Sequence, residues 1–541
     1  MLIALLFCDL KGENMSPTSL VFFGFIAVSL IVYYIVPKKV QWIVLLFASL
    51  FFFGYASKWT MFYMIGTTTL IYLGALWIQK FNDEFKAKKK NLSKEERKAL
   101  KSSIKKKQHA ILTTVVVICV AVLGVLKYFN FFGDIINDIT NLIASRSIIP
   151  TIKLALPLGI SYYTLMSISY IVDVYRGTIQ AEKNPCRLLL FVCYFPHITE
   201  GPFDTYNNLA PQFKEYHKFN YDSFMNAGSL LLLGLVKKMV LADRIAYVAN
   251  EVFDNYTEYS GIPILVGMVA YTVQIYFDFS GCIDIVRGVS RMFGIDIAEN
   301  FNRPFFSHSV QEFWRRWHIT LGAWLKNYVF YPVSLSNVAK KINKCVNKPG
   351  RNVQLVAAGQ AFLPLFCVWM VMGIWHGASW KYVVYGLYYL LIIILGMVFE
   401  PLFIKLFEKT NFKRDGKVFG LIQILRTDLL VVIGLTMFRA DTLGQFVTML
   451  KSALGLNIGG ILNIMSKCTD LYKLDYLLIV ALVLAFLFIE LKMEKGKKIY
   501  TDTVNSIPRR WAWITVSIIM VVLLGIYGSG YTEQPFVYAE F

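Results

Sequence analysis

"VQLVAAGQAFLPLFCVWMVMGIW", residues 353–375, runs for 23 residues without one Asp, Glu, Lys or Arg. Coiled as an α-helix it would be about 34 Å long, enough to cross the roughly 30 Å hydrocarbon layer of a bilayer. Backbone N–H and C=O groups find no water there, so a single segment crosses as a helix. The rest of the chain repeats the theme. Its 541 residues are 56% hydrophobic, 16% aromatic and only 17% charged, with a mean hydropathy of +0.52. Apolar runs near the length a bilayer requires recur at 20–36, 40–56, 60–79, 111–129, 154–175, 229–249, 262–279, 381–400, 418–437, 475–491 and 511–528. The segment 186–199 is short and Pro-broken and reads as re-entrant. The pattern predicts an all-α polytopic membrane protein, with about ten to thirteen membrane helices plus re-entrant and interfacial ones.

The formal charge of +20 comes from 55 Lys and Arg against 35 Asp and Glu. In a soluble protein such an excess would raise nucleic-acid binding, but here the basic residues cluster between spans. Segment 80–109 holds twelve Lys and Arg against four acids, and 340–351 holds five basic residues and no acid. Basic loops stay in the cytoplasm, so both are expected inside the plasma membrane, with some attraction to anionic lipid. The basic loops 405–417 and 492–510 fall inside by the same count. Parity then puts both chain termini outside, including the tail 528–541, which has no Lys or Arg.

Several chemistries lack their residues. The eight cysteines form no C-x-x-C pair and most sit in apolar runs, so neither a zinc site nor a disulfide framework is expected. There is no phosphate-binding glycine loop, dinucleotide fingerprint or H-E-x-x-H. Residues 1–14 lack the basic start and small-residue cleavage site of a signal peptide. "MSPTSLVFFGF" after them reads like a natural start, so translation is expected to begin at Met15, with 15–541 one membrane domain.

Two of the six histidines stand out. His376 closes the quoted span, between Trp375 and Gly377. An imidazole is costly to bury and titrates near neutrality, so it either bonds a neighbouring helix or moves a proton. His318 lies in "SVQEFWRRWHITLGAWLKNYVFYP" (309–332). Ser309 and Glu312 make a capping box that predicts a helix start, and Pro332 predicts its end. On that helix Trp314, Trp317, Leu321, Trp324, Leu325 and Tyr328 form an apolar face, while Arg315, His318, Gly322 and Lys326 form a polar stripe. Such a helix lies along the interface as an anchor or lines a polar cavity.

"EFWRRWHITLGAWLKNYVFYP", followed some sixty residues on by "GIWHGASWKYVVYGLYY", resembles the paired-histidine pattern of the membrane-bound O-acyltransferase family. "SISYIVDVYRG" (167–177), "CYFPHITEGPFDTYNNLAPQF" (193–213), "YFDFSGCIDIVRGVSRMFGIDIAENFNRPF" (276–305) and "MFRADTLGQF" (437–446) are similar to its bacterial alginate O-acetyltransferase branch. The resemblance implies a helical bundle that carries an acyl group from a cytoplasmic donor to an extracytoplasmic hydroxyl. It implies His376 as the catalytic histidine and His318 as the second one. Acetyl-CoA would be the ultimate donor, with no tightly bound cofactor. A polysaccharide would be the acceptor, reached through an esterase-like extracytoplasmic partner.

Asp278 and Ser280 in "FDFSG", Asn300 in "ENFNRPF", Arg315 and Trp375 are weaker candidates for lining a donor or acceptor tunnel. Asp278 could orient a histidine or bond backbone. Asp173 and Arg176 read as a structural pair at a helix end. His197 and Glu200, beside Pro196 and Pro202, read as a broken, cavity-lining segment. The rival within the family is D-alanyl transfer to teichoic acid from a carrier-protein thioester, whose enzymes resemble this chain at both histidines but tend to be shorter. A transporter or flippase is the rival class. It would show repeated halves with ionisable residues in both, whereas the polar residues here gather around two histidine segments.

Overall fold

The computed structural model describes residues 15–198, 200–409, 416–455, 457, 460–468, 471–527 and 534–536. The expected extension 1–14 and nearly all of the tail 528–541 lie outside them. Among the described residues the chain is helical, with no strand beyond one isolated bridge between Phe301 and Trp317. Nine helices among the described residues are long and apolar enough to cross a membrane. One of these, the run Lys38–Asn91, is interrupted at Lys58–Thr60 and holds two of the expected spans. Leu20–Ile35 is a further, shorter apolar helix. Large apolar side chains such as Leu391 and Phe399 on helix Trp380–Lys409, or Leu477 and Phe488 on helix Lys473–Glu494, are exposed. A surface of this kind is stable in hydrocarbon rather than in water. The fold is therefore an all-α polytopic membrane protein.

The chain divides into two compact units, Met1–Phe224 with Val289–Ala298, and Met225–Gly288 with Glu299–Phe541. In the first, the expected basic loop 80–109 is mostly helix. Helix Met61–Lys88 and the 51-residue helix Lys94–Ala144 are joined only by Lys89–Ser93. Ser93 and Glu96 close a capping box at the second helix. Gln108 is buried and donates back to the Ile78 carbonyl at 3.0 Å and to Asn82 Oδ1 at 2.8 Å. Charge alone could not reveal this, because Lys and Glu are good helix formers and the hairpin keeps them on its exposed sides.

The span expected over 154–175 begins only at Ile160. Gly159 before it has φ +62°, and a Cβ there would lie 2.3 Å from the Ile198 carbonyl oxygen. Arg176 and Asp173 lie 4.0 Å apart at the end of this helix. Helix Pro185–Cys193 is short, as its prolines suggested, and the chain turns irregularly after it. His197 is fully buried there, its ring edged by Tyr162 and Tyr194. Burial pushes its imidazole down to about 3, so it is neutral.

In the second unit, helix Tyr221–Leu235 continues through a π-helical stretch, Val236–Ala242, into Asp243–Asp254. It crosses helix Ile262–Met292 where two glycines meet: a Cβ on Gly234 would lie 2.5 Å from the Gly281 carbonyl oxygen. Small residues let membrane helices approach this closely. The contact brings Lys237 to 2.6 Å from Asp284 and Lys238 to 2.6 Å from Asp278.

Candidate active site

His318 does not ride on one continuous helix. Helix Val310–Arg316 stops, and helix Ile319–Leu325 begins anew with His318 as its N-cap at φ 46°, ψ 51°. The expected end at Pro332 is also displaced. Pro332 falls in the first turn of Tyr331–Ser334, after a π-helical stretch Lys326–Phe330. A left-handed backbone is costly for a residue with a side chain, so something must hold it. The strap Asn300–Asn302 does. The Asn300 carbonyl accepts from Ile319 N–H at 3.0 Å, and Asn302 N–H donates to the Arg316 carbonyl at 2.9 Å. Asn300 Oδ1 accepts from the Thr320 N–H at 3.1 Å and from its hydroxyl at 2.6 Å. Asn300 is thus a buried clamp on the break that presents His318.

The break points the His318 ring inward, where it is almost wholly buried. The Phe279 ring meets it edge-on at 4.9 Å, and the Trp375 indole lies 6.1 Å away. His376, equally buried, is the last residue of helix Val353–His376. Its ring lies 4.9 Å from the same Trp375 indole and 5.1 Å, edge-on, from Phe438, with Tyr385 at 6.2 Å. The chain then turns sharply into helix Trp380–Lys409. Gly377 permits this turn, since a Cβ there would lie 2.2 Å from the Tyr382 ring. The two imidazoles therefore flank one half-buried indole inside an aromatic wall.

Burial alone drives the His318 imidazole down, to about 3. A neutral imidazole is the form that can take a proton from a hydroxyl. Surrounding aromatic rings exclude water, and low local dielectric strengthens any charge interaction made there. An imidazole held this low stays neutral but accepts a proton only weakly, which suits His318 to binding or orienting. Among the described residues no group of three or more His, Cys, Asp or Glu could hold a metal.

The weaker candidates separate. Trp375 joins the two histidines, and Ser280 is buried one residue past Phe279. Asp278 is buried against Lys238, which also pairs with Asp243 at 2.9 Å. Arg315 is exposed, and the helix break takes it off the expected stripe. Its neighbour Arg316 pairs with Glu312 at 2.7 Å and with Glu494 at 3.0 Å. Lys238, Phe438 and Tyr385 were not singled out by sequence reasoning. For Lys238 a signal existed: a basic residue inside an apolar run defaults to functional suspicion. The two rings carry no such mark.

Residues 183–345 match the model of the MBOAT, membrane-bound O-acyltransferase, family, and that stretch includes His318 and its strap. The match covers the first of the two histidine stretches; the second, around His376, lies beyond it. Among its relatives is a probable alginate O-acetylase of Pseudomonas aeruginosa, 35% identical over 62% of this chain and 58% of its own. A peptidoglycan O-acetyltransferase of Helicobacter pylori is 32% identical over 50% of this chain and 51% of its own. A teichoic acid D-alanyltransferase of Bacillus subtilis is 31% identical over 45% and 59%. This chain thus matches somewhat under two thirds of each relative's length.

Proposed function

We propose that this protein is an O-acyltransferase that moves an acetyl group from a cytoplasmic thioester, ultimately acetyl-CoA, to hydroxyls of an extracytoplasmic polysaccharide. The observation that carries the reading is the pair of buried imidazoles on one indole, one of them inside the matched family segment. A hydroxyl is a poor nucleophile at neutral pH. His376 takes its proton as the oxygen attacks the thioester carbonyl; the C–O bond forms, the C–S bond breaks, and the thiolate leaves with a proton. His318, on its left-handed hinge, binds or orients the donor. The resemblance of stretches 167–177, 193–213, 276–305 and 437–446 to the alginate O-acetyltransferase branch supports transfer through an esterase-like extracytoplasmic partner.

Deleting the gene tests the reading. Mild alkaline hydrolysis of the cell-surface polymers should then release less acetate than from the parent strain, and restoring the gene should restore it. Unchanged ester acetate would overturn the proposal. Similarity to a teichoic acid D-alanyltransferase supports a second reading; loss of ester-linked alanine in the same hydrolysate would select it.

A further inference from the structure

The His318 and His376 walls of the second unit are linked by a brace of polar groups behind the aromatic rings. Lys238 is its centre, almost wholly buried in the π-helical stretch. Its ammonium donates to Asp278 Oδ1 at 2.6 Å and to the Gln534 carbonyl at 3.0 Å, and pairs with Asp243 at 2.9 Å. The Pro535 carbonyl lies further off, at 3.4 Å, so the three protons of the ammonium have acceptors on every side. The Phe536 ring covers the same group, 4.3 Å from its centre. Asp278 is followed by Phe279, the residue edged against His318. In the other direction, Gln534 Oε1 accepts from Asn250 Nδ2 at 3.2 Å, and Asn250 Oδ1 accepts from Arg439 at 3.1 Å. Arg439 follows Phe438, the residue edged against His376.

We propose that Lys238 and Gln534 are positioning residues for the two-histidine site, with Gln534–Phe536 acting as the strut that sets one histidine wall against the other. This rests on the acyl-transfer reading only for the kinetic part of its test. A buried ammonium between two carboxylates is strongly specified, because removing it leaves two like charges facing each other in a medium that cannot solvate them. The register of Phe279 is therefore fixed from behind by Asp278, and that of Phe438 by Arg439. Gln534 bonds toward both, by its carbonyl to Lys238 and by its side chain to Asn250. A shift of either ring would move an imidazole by a fraction of an ångström, a scale on which transfer rates respond steeply.

The test uses the full chain in lipid nanodiscs. Gln534→Leu keeps the side chain's size and loses the acceptor oxygen; Gln534→Glu keeps an acceptor. Two quantities are read: carbethoxylation of His318 and His376 by diethyl pyrocarbonate, followed by peptide mass spectrometry, and kcat and KM for acetyl transfer. Gln534→Leu cuts the link to Asn250 and keeps the main-chain carbonyl on Lys238, so it should raise the reactivity of His376 several-fold, that of His318 less, and lower kcat by about tenfold with KM little changed. Gln534→Glu should restore most of both. Phe536→Ala, which removes only the ring over Lys238, should shift the same readouts in the same direction and serves if Gln534→Leu fails to accumulate. Parental histidine reactivity in the tested variant, or no rescue by Gln534→Glu, would overturn the proposal. If the parent protein transfers no acetyl group, the acyl-transfer reading falls, and histidine reactivity alone still decides the brace.

Discussion

At the scale of single residues, the two histidines make different demands. His376 is fixed by helix Val353–His376 on one side and by the Gly377 turn on the other. His376→Ala should leave membrane expression near normal and cut acyl transfer by about 10²–10⁴-fold, the usual cost of losing a general base. A rate above about a tenth of the parent's would rule out that role. His318 adds a backbone requirement, because its φ of 46° is strained for any residue but glycine. His318→Ala and His318→Gly should lose transfer equally, yet His318→Gly should be the more stable by about 1 kcal/mol in denaturant unfolding. Equal stability would show that the strap does not hold a strained residue. Both histidines were legible from sequence, because an imidazole among tryptophans in an apolar segment is conspicuous. Asp278 was legible as a buried carboxylate, but not as the partner of Lys238, forty residues away across a helix crossing. Arg315 was misplaced because periodicity counts residues along one helix and cannot see a break.

That break belongs to the scale of elements. The 3.6-residue pattern runs unbroken across Trp317 and His318, with neither Gly nor Pro to interrupt it. Pairing with the strap Asn300–Asn302 interrupts it instead, and such tertiary pairing overrides local propensity. Asn300→Ala would leave the buried Thr320 N–H without its acceptor and should cost about 1–3 kcal/mol in denaturant unfolding. It should also impair transfer, since His318 would lose its fixed aim; full activity would show that the hinge holds itself. In the first unit the corresponding knot is Glu182, which accepts from Tyr206, the Asn184 N–H and Lys214. Burial pushes its carboxyl up, but the Lys214 and Tyr206 hydrogen bonds and the Asn184 N–H outweigh it and hold it down, at about 2 against an ordinary 4.5. A carboxyl with a lowered folded-state value stabilises the fold above its unfolded value and loses that contribution as pH falls through the folded one. The unfolding midpoint of the protein in detergent should therefore drop between pH 4.5 and pH 2. Glu182→Gln should flatten that drop; an unchanged slope would mean that other carboxyls govern it.

For the whole molecule, composition decides the solvent and the solvent decides the fold class, which is why the all-helical membrane architecture was readable before any helix was placed. Organisation beyond that was less readable. The division into two units follows no linker, because the chain leaves the first unit at residue 224, returns for Val289–Ala298 and leaves again. The hairpin built on Lys94–Ala144 hid within what charge marked as a loop. Sidedness rests on the basic stretch 340–351 before helix Val353–His376. That helix has 24 residues, about 36 Å of rise, so its two ends belong on opposite faces of the bilayer. If the basic end is cytoplasmic, His376 lies toward the outside, where an acceptor polysaccharide would meet it. In a variant lacking the eight native cysteines, Asn347→Cys, at an exposed position, should react with a small impermeant thiol reagent only after the membrane is opened. Ser379→Cys, half-buried just past His376, should react in intact cells, more slowly than a fully exposed thiol. Labelling of Asn347→Cys from outside would place the basic end there. It would put His376 on the cytoplasmic side, with the donor instead of the acceptor, and the proton shuttle assigned to it would have to serve thioester cleavage within the cell.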